Sequence, residues 1–379
     1  MINDRRNFIK SAIGISAGIL TAGHLSGNTF SPFLLPLNKK TQTPRIRFSV
    51  IGMNHGHIYG MVNSVIRGGG ELVAFHANES DLAAAFAKTY PQARRVQTEA
   101  EILNDNSVQL VLSSIIPNER APLGIRVMEH GKDYMVDKPG ITSLSQLVAV
   151  RKVQKKTKRI FSIVYSGRLE SKAMLKAGEL VRAGAIGKVV QTIGLGPHRM
   201  SPGSRPEWFF DKKYFGGIIC DLGIHQFDQF LYFTGSTAGK ILASQVGNVH
   251  NPQYKEFEDF GDAMVQGNHG SGYMRVDWFT PDNLKAFGDG RLTILGTDGY
   301  IEIRAYIDIT GREGGDHLFL VDKKETKYID CRNVDLPYGR QLVDDIINRT
   351  ETAMIQEHCF LATELTLLAQ KNATKVGKI

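Results

Sequence analysis

Arg45-Ile46-Arg47-Phe48-Ser49-Val50-Ile51-Gly52-Met53-Asn54-His55-Gly56-His57 is the stretch whose reading decides the fold. Its first half is a run of β-forming residues ending in glycine, and a helical pattern follows over residues 58–66. Strand, glycine turn and helix open a dinucleotide-binding βαβ unit, where backbone N–H groups at the helix N-terminus hold a pyrophosphate. The usual G-x-G-x-x-G fingerprint is altered here. Asn54 and His57 stand where the second and third glycines would, and Gly56 comes one place early. Asn is the least costly non-glycine in the left-handed region, and His57 can itself face a phosphate or a substrate. Gly52, Asn54, His55, Gly56 and His57 are therefore the expected cofactor turn.

Downstream, strands and helices alternate as a parallel sheet requires. A strand over residues 71–77 should end in the acidic residue that binds the adenosine ribose, but the chain reads Ala77-Asn78-Glu79-Ser80. Asn78 is assigned to the cofactor, with Glu79 as a shifted substitute, and NAD and NADP both remain open. An amphipathic stretch at 82–89 and a buried strand at 108–116 follow. Pro117 and Asn118 lie just past that strand, at the carboxyl edge where such sheets bind ligands, and join the cofactor set. A helix over 123–130 leads to another strand ending in Asp137-Lys138-Pro139. A residue before proline stays extended, so Lys138 projects its ammonium into the cleft.

Farther on stands Gly216-Gly217-Ile218-Ile219-Cys220-Asp221-Leu222-Gly223-Ile224-His225-Gln226-Phe227-Asp228. Read as a helix opening after the glycine pair, it stacks Asp221, His225 and Asp228 on one face, with Ile224, Phe227, Phe230 and Leu231 on the other. A neutral imidazole beside a carboxylate is what a general base requires, and a His capped by its own i−4 Asp fits the same segment. The irregular segment 198–210 carries Arg199, Trp208 and Phe209, and a tryptophan beside a basic loop can stack on a sugar ring. A helix is expected over 166–183. β-rich stretches at 188–195, 241–249, 262–267, 272–279, 291–295 and 300–307 predict an open, largely antiparallel sheet. Helical periodicity at 340–347 and 352–370 closes the chain.

At 379 residues two domains are expected, and 42% hydrophobic with 22% charged residues is ordinary for a globular protein. Of the net charge of +8, half comes from residues 1–40, where Arg5, Arg6, Lys10, Lys39 and Lys40 face Asp4 alone. No basic stripe interleaves with aromatics, which speaks against a nucleic-acid partner. Cys220, Cys331 and Cys359 are widely separated, so neither a disulfide framework nor a structural metal is indicated, and Cys220 reads as a small buried hydrophobe. Arg5-Arg6-Asn7-Phe8-Ile9-Lys10, with a weakly apolar run behind it, resembles a twin-arginine export signal, too short and mild to span a bilayer. It implies a periplasmic protein exported already folded. No clear cleavage site precedes the linker at 25–44, which leaves a retained membrane anchor open.

The order of these features resembles the Gfo/Idh/MocA oxidoreductases over residues 46 to about 375. Asp137-Lys138-Pro139 matches the family's E/D-K-P triplet, with Asp for the commoner Glu. Gly216, Gly217, Asp221, Gly223, His225 and Asp228 match its G-G-x-x-x-D-x-G-x-H-x-x-D block, and residues 296–302 look like its later G-T-x-G-x-x-E turn. The glycine fingerprint and the ribose acid depart from the family, and Ala121 stands near where it often has histidine. The resemblance implies an α/β protein with an N-terminal doubly wound Rossmann domain at 45–164. A C-terminal α+β domain with a large, mostly antiparallel open sheet follows at 165–379, its last helices, about 340–372, packing back on the first domain. It also implies NAD(H) or NADP(H), tightly held in some relatives, with Asp137 and Lys138 beside it. His225 would be the base, Asp221 its partner or a substrate ligand, and Lys138 a cationic donor. Arg168, His198, Trp208 and Asp228 are the expected contacts to a carbohydrate-type substrate, with no metal and a homo-oligomeric assembly. Three activities fit: a dehydrogenase of a sugar, glycoside or cyclitol hydroxyl, a redox-neutral glycosidase that retains NAD, and a sugar-binding scaffold without the dinucleotide.

Overall fold

The computed structural model describes residues 44–376, so the twin-arginine-like segment lies outside the described residues. Its first half is a six-stranded parallel sheet of β1 (Ile46–Ile51), β2 (Gly70–His76), β3 (Arg94–Arg95), β4 (Leu110–Ser113), β5 (Asp133–Asp137) and β6 (Phe161–Val164). Strands β4, β5 and β6 are buried at every residue, as the strands of a sheet covered on both faces must be. The spatial order is β3-β2-β1-β4-β5-β6, so the winding direction reverses between β1 and β4. Ligands of such sheets bind at that switch point, outside the strands' carboxyl ends. The loops after β1 and β4 are tied together there: the Ser114 N–H donates to the Gly52 carbonyl at 3.2 Å and its hydroxyl to the His55 carbonyl at 2.8 Å.

The second half is a nine-stranded sheet of β7 (Val189–Pro197), β8 (Gly239–Gly247), β9 (Phe260–Gly267), β10 (Ser271–Asp277), β11 (Arg291–Gly296), β12 (Gly299–Arg304), β13 (His317–Asp322), β14 (Thr326–Asp330) and β15 (Thr374–Lys375). The order is β14-β13-β12-β11-β7-β10-β9-β8-β15. Only β7 with β10 and β8 with β15 run parallel, so the sheet is mostly antiparallel as expected. Strands β13 and β14 extend it beyond the expected stretches.

Two expected helices begin or break elsewhere, and helix Leu144–Thr157 stands where the sequence reading gives none. The one expected over 123–130 begins earlier, at Pro117, because a proline at the first helical position has no N–H to leave unpaired. The one expected over 166–183 is broken into Ser166–Leu169 and Lys172–Arg182, and Ser171 caps the second by accepting from the Met174 N–H.

Helix Ile224–Thr234 crosses β7 closely, and a Cβ at Gly194 or Gly196 would meet the Gln226 side chain at 2.6 or 2.9 Å. The last helix, Gln356–Asn372, ties the two sheets together. The Gln356 amide bonds both backbone groups of Phe161 in β6 at 2.9 Å, and Ser244 of β8 donates to the Ala369 carbonyl at 2.7 Å.

Candidate active site

Between the switch point and the second sheet lies a cavity of about 380 Å³, whose wall includes His55, His57, Lys138, His198, Asp221 and His225. Gly216 and Gly217, with φ of +85° and +97°, turn the chain into a π-helical stretch, Ile219–Gly223, which continues as helix Ile224–Thr234. The first N–H groups of this stretch are capped from outside. Gln370 accepts from Ile219 at 2.9 Å, and Glu258 accepts from Ile218 at 3.0 Å. The widened turn rotates Asp221 relative to the rest of the helix, a use of π-turns common at functional sites.

The expected single polar face is therefore split. Lys138 donates to both the Asp221 carboxylate and the Asp221 backbone carbonyl, each at 2.9 Å. Asp221 thus holds Lys138, which corrects the expectation that it orients His225. Burial works to raise the Asp221 pKa, but Lys138 outweighs it and keeps the carboxyl below its usual range. Asp228 turns away from the cavity. It is wholly buried in a two-point bond with Arg168, both contacts at 2.7 Å, and accepts from His358 at 2.8 Å. Neither Arg168 nor Asp228 lines the cavity, so the structure removes both from the expected substrate contacts, whereas His198 and Trp208 do line it.

Asp137, at the end of β5, supports the altered glycine turn. Its two oxygens take the Nδ1 atoms of His55 at 2.8 Å and His57 at 2.9 Å, and buried Arg120 adds a third contact at 3.1 Å. Burial works to raise the Asp137 pKa, but His57, Arg120 and His55 hold it well below the carboxylate range. An ionised carboxylate only accepts, so both rings donate through Nδ1. Among the described residues these three form the group with metal-ligand character. Here both carboxylate oxygens are already taken by N–H donors. His57 replaces the third glycine without forcing helix and strand apart, because its half-exposed ring swings toward Asp137.

The other two histidines also point Nδ1 away from the cavity. His198 donates to the Gly196 carbonyl at 2.9 Å, and the buried Nδ1 of His225 lies against Gly167, where a Cβ would come within 3.3 Å. Burial, then the charge of Lys138, lowers His198 to about 4 and His225 to about 3. Burial, then His57, lowers His55 to about 4. These three rings are neutral at pH 7. Cys220 is fully buried, as expected.

A second, narrower groove runs from Met53, Asn54 and Gly56 to Glu79. The Asn54 amide donates to Glu79 at 2.7 Å, which places the shifted acid in this groove, while Asn78 is exposed and outside it. Asn118 lines neither space, and its carbonyl accepts from Gln146 at 2.8 Å. Pro117 does line the cavity. Gly52 has φ +75°, and a Cβ there would strike Ile115 at 2.8 Å. The helix His57–Arg67 has no side-chain cap and no acid in its first turn, leaving its N–H groups to an anion. These features fit a dinucleotide, with the pyrophosphate at this helix and the ribose at Glu79.

Sequence reasoning missed Arg120, Arg205 and Trp278. Arg120 falls in helical register with buried Gly124 and Val127, so an arginine on a core face was a usable signal. Arg205 stacks over Phe209 at 4.5 Å and over Trp278 at 5.0 Å, and Trp278 stands too far along the chain to be paired with it by pattern.

Residues 46–165 match the family model described as an oxidoreductase family with an NAD-binding Rossmann fold, and residues 174–302 match that of the GFO/IDH/MocA C-terminal domain. The chain belongs to the Gfo/Idh/MocA oxidoreductase family. A crystal structure from Erwinia carotovora atroseptica SCRI1043, described as an oxidoreductase, is 45% identical with a TM-score of 0.85, over 88% of this chain and 100% of that one. The scyllo-inositol 2-dehydrogenase (NAD(+)) of Bacillus subtilis (strain 168) is 25% identical over 269 residues, 68% of this chain and 74% of its own length. Levoglucosan dehydrogenase in complex with NADH and levoglucosan shares the fold at a TM-score of 0.73 and 14% identity, over 86% of this chain and 98% of that one. This Gfo/Idh/MocA member is an NAD(P)-dependent dehydrogenase or reductase acting on CH–OH groups, which weighs against a scaffold that has lost the dinucleotide.

Proposed function

We propose that the enzyme moves a hydride between nicotinamide and a ring hydroxyl of a sugar, glycoside or cyclitol. The observation that carries this reading is that Lys138 and His225 share one cavity wall with the cofactor turn. When bound, the nicotinamide ring supplies the hydride acceptor or donor. The chain's own residues handle the proton. Lys138 donates to the reacting oxygen and stabilises its developing negative charge, and the neutral His225 ring takes the proton. After burial, Lys138 is the main cause of the low His225 pKa. The same cation makes a bound alcohol more acidic, so the two effects offset. Trp208, Phe209 and Trp278 offer flat apolar faces to a sugar ring. The test is NADH formation with a panel of polyols, sugars and glycosides. No turnover with any of them would sink the reading.

A second reading, redox-neutral glycoside cleavage with a retained cofactor, is favoured by one observation. Ser204, Pro206 and Trp208 line both the cavity and the cofactor groove, so their segment lies across the passage between them. Glycoside hydrolysis without added cofactor, by protein that releases nicotinamide nucleotide on heating, would support it over the dehydrogenase.

The resemblance of the N-terminus to a twin-arginine signal supports periplasmic export, tested by cell fractionation of an Arg5→Lys/Arg6→Lys variant. A homodimer through the open face of the second sheet is supported by the half-exposed side chains of Ile193, Met264, Leu295 and Tyr300. Light scattering of a Met264→Glu variant tests it.

A further inference from the structure

Helix Leu144–Thr157 and the two residues after it carry an unbalanced charge. Arg151, Lys152, Lys155, Lys156, Lys158 and Arg159 stand within nine residues, and no Asp or Glu occurs between Asp137 and Glu170. This +6 exceeds the +4 of the whole chain past residue 40, so the rest of that body is slightly acidic. Arg151 is neutralised by Glu357 at 2.7 Å and Glu364 at 3.1 Å. Lys152, Lys155, Lys156 and Lys158 are exposed and form no ion pair among the described residues. Lys155 and Lys156 complement the helix dipole from the last turn, but Lys152 lies before that turn and Lys158 after it. Lys158 has φ +56°, where glycine is the usual residue.

The charge sits on one exposed helix face, because Val148, Lys152, Lys155 and Lys156 follow each other at i, i+4, i+7 and i+8 spacing over about 12 Å. Val148 is 68% exposed at the head of this stripe. Lysines on long apolar stems beside an exposed aliphatic residue match the headgroup boundary of a bilayer. The stripe has no aromatic residue on which a nucleic-acid base could stack. Its position agrees with its composition. Helices of a parallel sheet run against their strands, so the last turn of this helix lies at the amino edge, where β6 starts, opposite the cavity at the carboxyl edge. Strand β1 starts on the same edge, three strand spacings or about 14 Å from β6. Residues 1–43, with Arg5, Arg6, Lys10, Lys39 and Lys40, join the described chain there. A surface against this edge meets both the helix end and the point where the described chain begins, and it leaves the cavity open.

We propose that this helix face docks on an anionic phospholipid bilayer, with the active-site cavity turned away from it. Each lysine close to such a surface is worth about five-fold in partitioning. The experiment is cosedimentation of the full chain with vesicles of pure phosphatidylcholine and of equal parts phosphatidylcholine and phosphatidylglycerol. The protein binds the mixed vesicles and not the neutral ones, and high salt releases it. Lys152→Gln/Lys155→Gln/Lys156→Gln/Lys158→Gln lowers partitioning by about 100-fold or more, with an unchanged circular dichroism spectrum. Lys188→Gln/Lys240→Gln/Lys323→Gln/Lys324→Gln, which removes as many exposed charges from around the second sheet, leaves binding within a few-fold. The proposal is overturned if the mixed vesicles hold no more protein than the neutral ones, or if the two quadruple variants bind alike. It also fails if the first variant binds as the wild type does, which would assign the membrane contact to residues 1–43. Soluble polyglutamate binding as tightly as the mixed vesicles would overturn it in favour of an acidic chain as the partner.

Discussion

The Lys138 ammonium lies 2.9 Å from both the side-chain and the backbone oxygen of Asp221, so the cation at the end of β5 is held by the π-helical turn before helix Ile224–Thr234. The two residues act as one unit. Lys138→Ala should lower kcat by about 10²–10⁴-fold, and Asp221→Asn by less, since the amide still accepts a hydrogen bond. The double variant should be no worse than Lys138→Ala alone. If the two losses multiply, Asp221 has a role of its own toward substrate.

Three cavity histidines make the fold sensitive to mild acid. His55 and His198 are lowered to about 4 and His225 to about 3, chiefly by burial, against an unfolded value near 6.5. Between those limits the unfolded chain binds protons that the native state refuses. Stability is therefore complete above about pH 6.5 and falls as pH drops toward 4, by up to about 1.4 kcal/mol per pH unit for each histidine. Denaturation of the cofactor-free protein between pH 7 and 5 should show this slope, and His198→Asn should make it shallower. A flat profile across that window would sink the claim.

The parallel sheet was legible because strands buried on both faces are largely apolar, as in Leu110–Ser113, where only Ser113 is polar. Lys138 and His225 were legible because proline and the glycine pair fix their local backbone. The partner of Asp221 was not. Helical spacing assumes 3.6 residues per turn, and the π-helical turn at Ile219–Gly223 breaks that period through caps from Gln370 and Glu258, far along the chain. The two-histidine support of Asp137 was likewise hidden, since it joins the loop after β1 to the end of β5 only once the strands are aligned.

Arg168 and Asp228, removed from the cavity by the structure, should matter for stability instead. Arg168 and His358, working against burial, hold Asp228 at about 2, so the pair is ionised at neutral pH. Arg168→Ala leaves a wholly buried carboxylate without its cation and should cost about 3–5 kcal/mol in urea unfolding. An Arg168→Met/Asp228→Leu variant should lose less than the single change. Activity per folded molecule should stay within a few-fold. A large kcat loss in fully folded Arg168→Ala would return that residue to the active site.

Glu79 should set the cofactor preference. Its carboxylate, held by the Asn54 amide at 2.7 Å, sits in the groove just past β2, where a ribose 2′-hydroxyl can donate to it. A 2′-phosphate there would place like charges together in a partly enclosed groove. The enzyme should therefore bind NAD(H) at least about 10-fold more tightly than NADP(H), the scale of one charge-assisted hydrogen bond. Glu79→Ser should narrow that ratio by weakening NAD(H) and admitting NADP(H), with the affinity for free adenine nearly unchanged because the base does not meet the carboxylate. Fluorescence titration with both reduced cofactors measures it directly. Equal affinities in the wild type would show that the Asn54 bond turns the carboxylate away from the ribose.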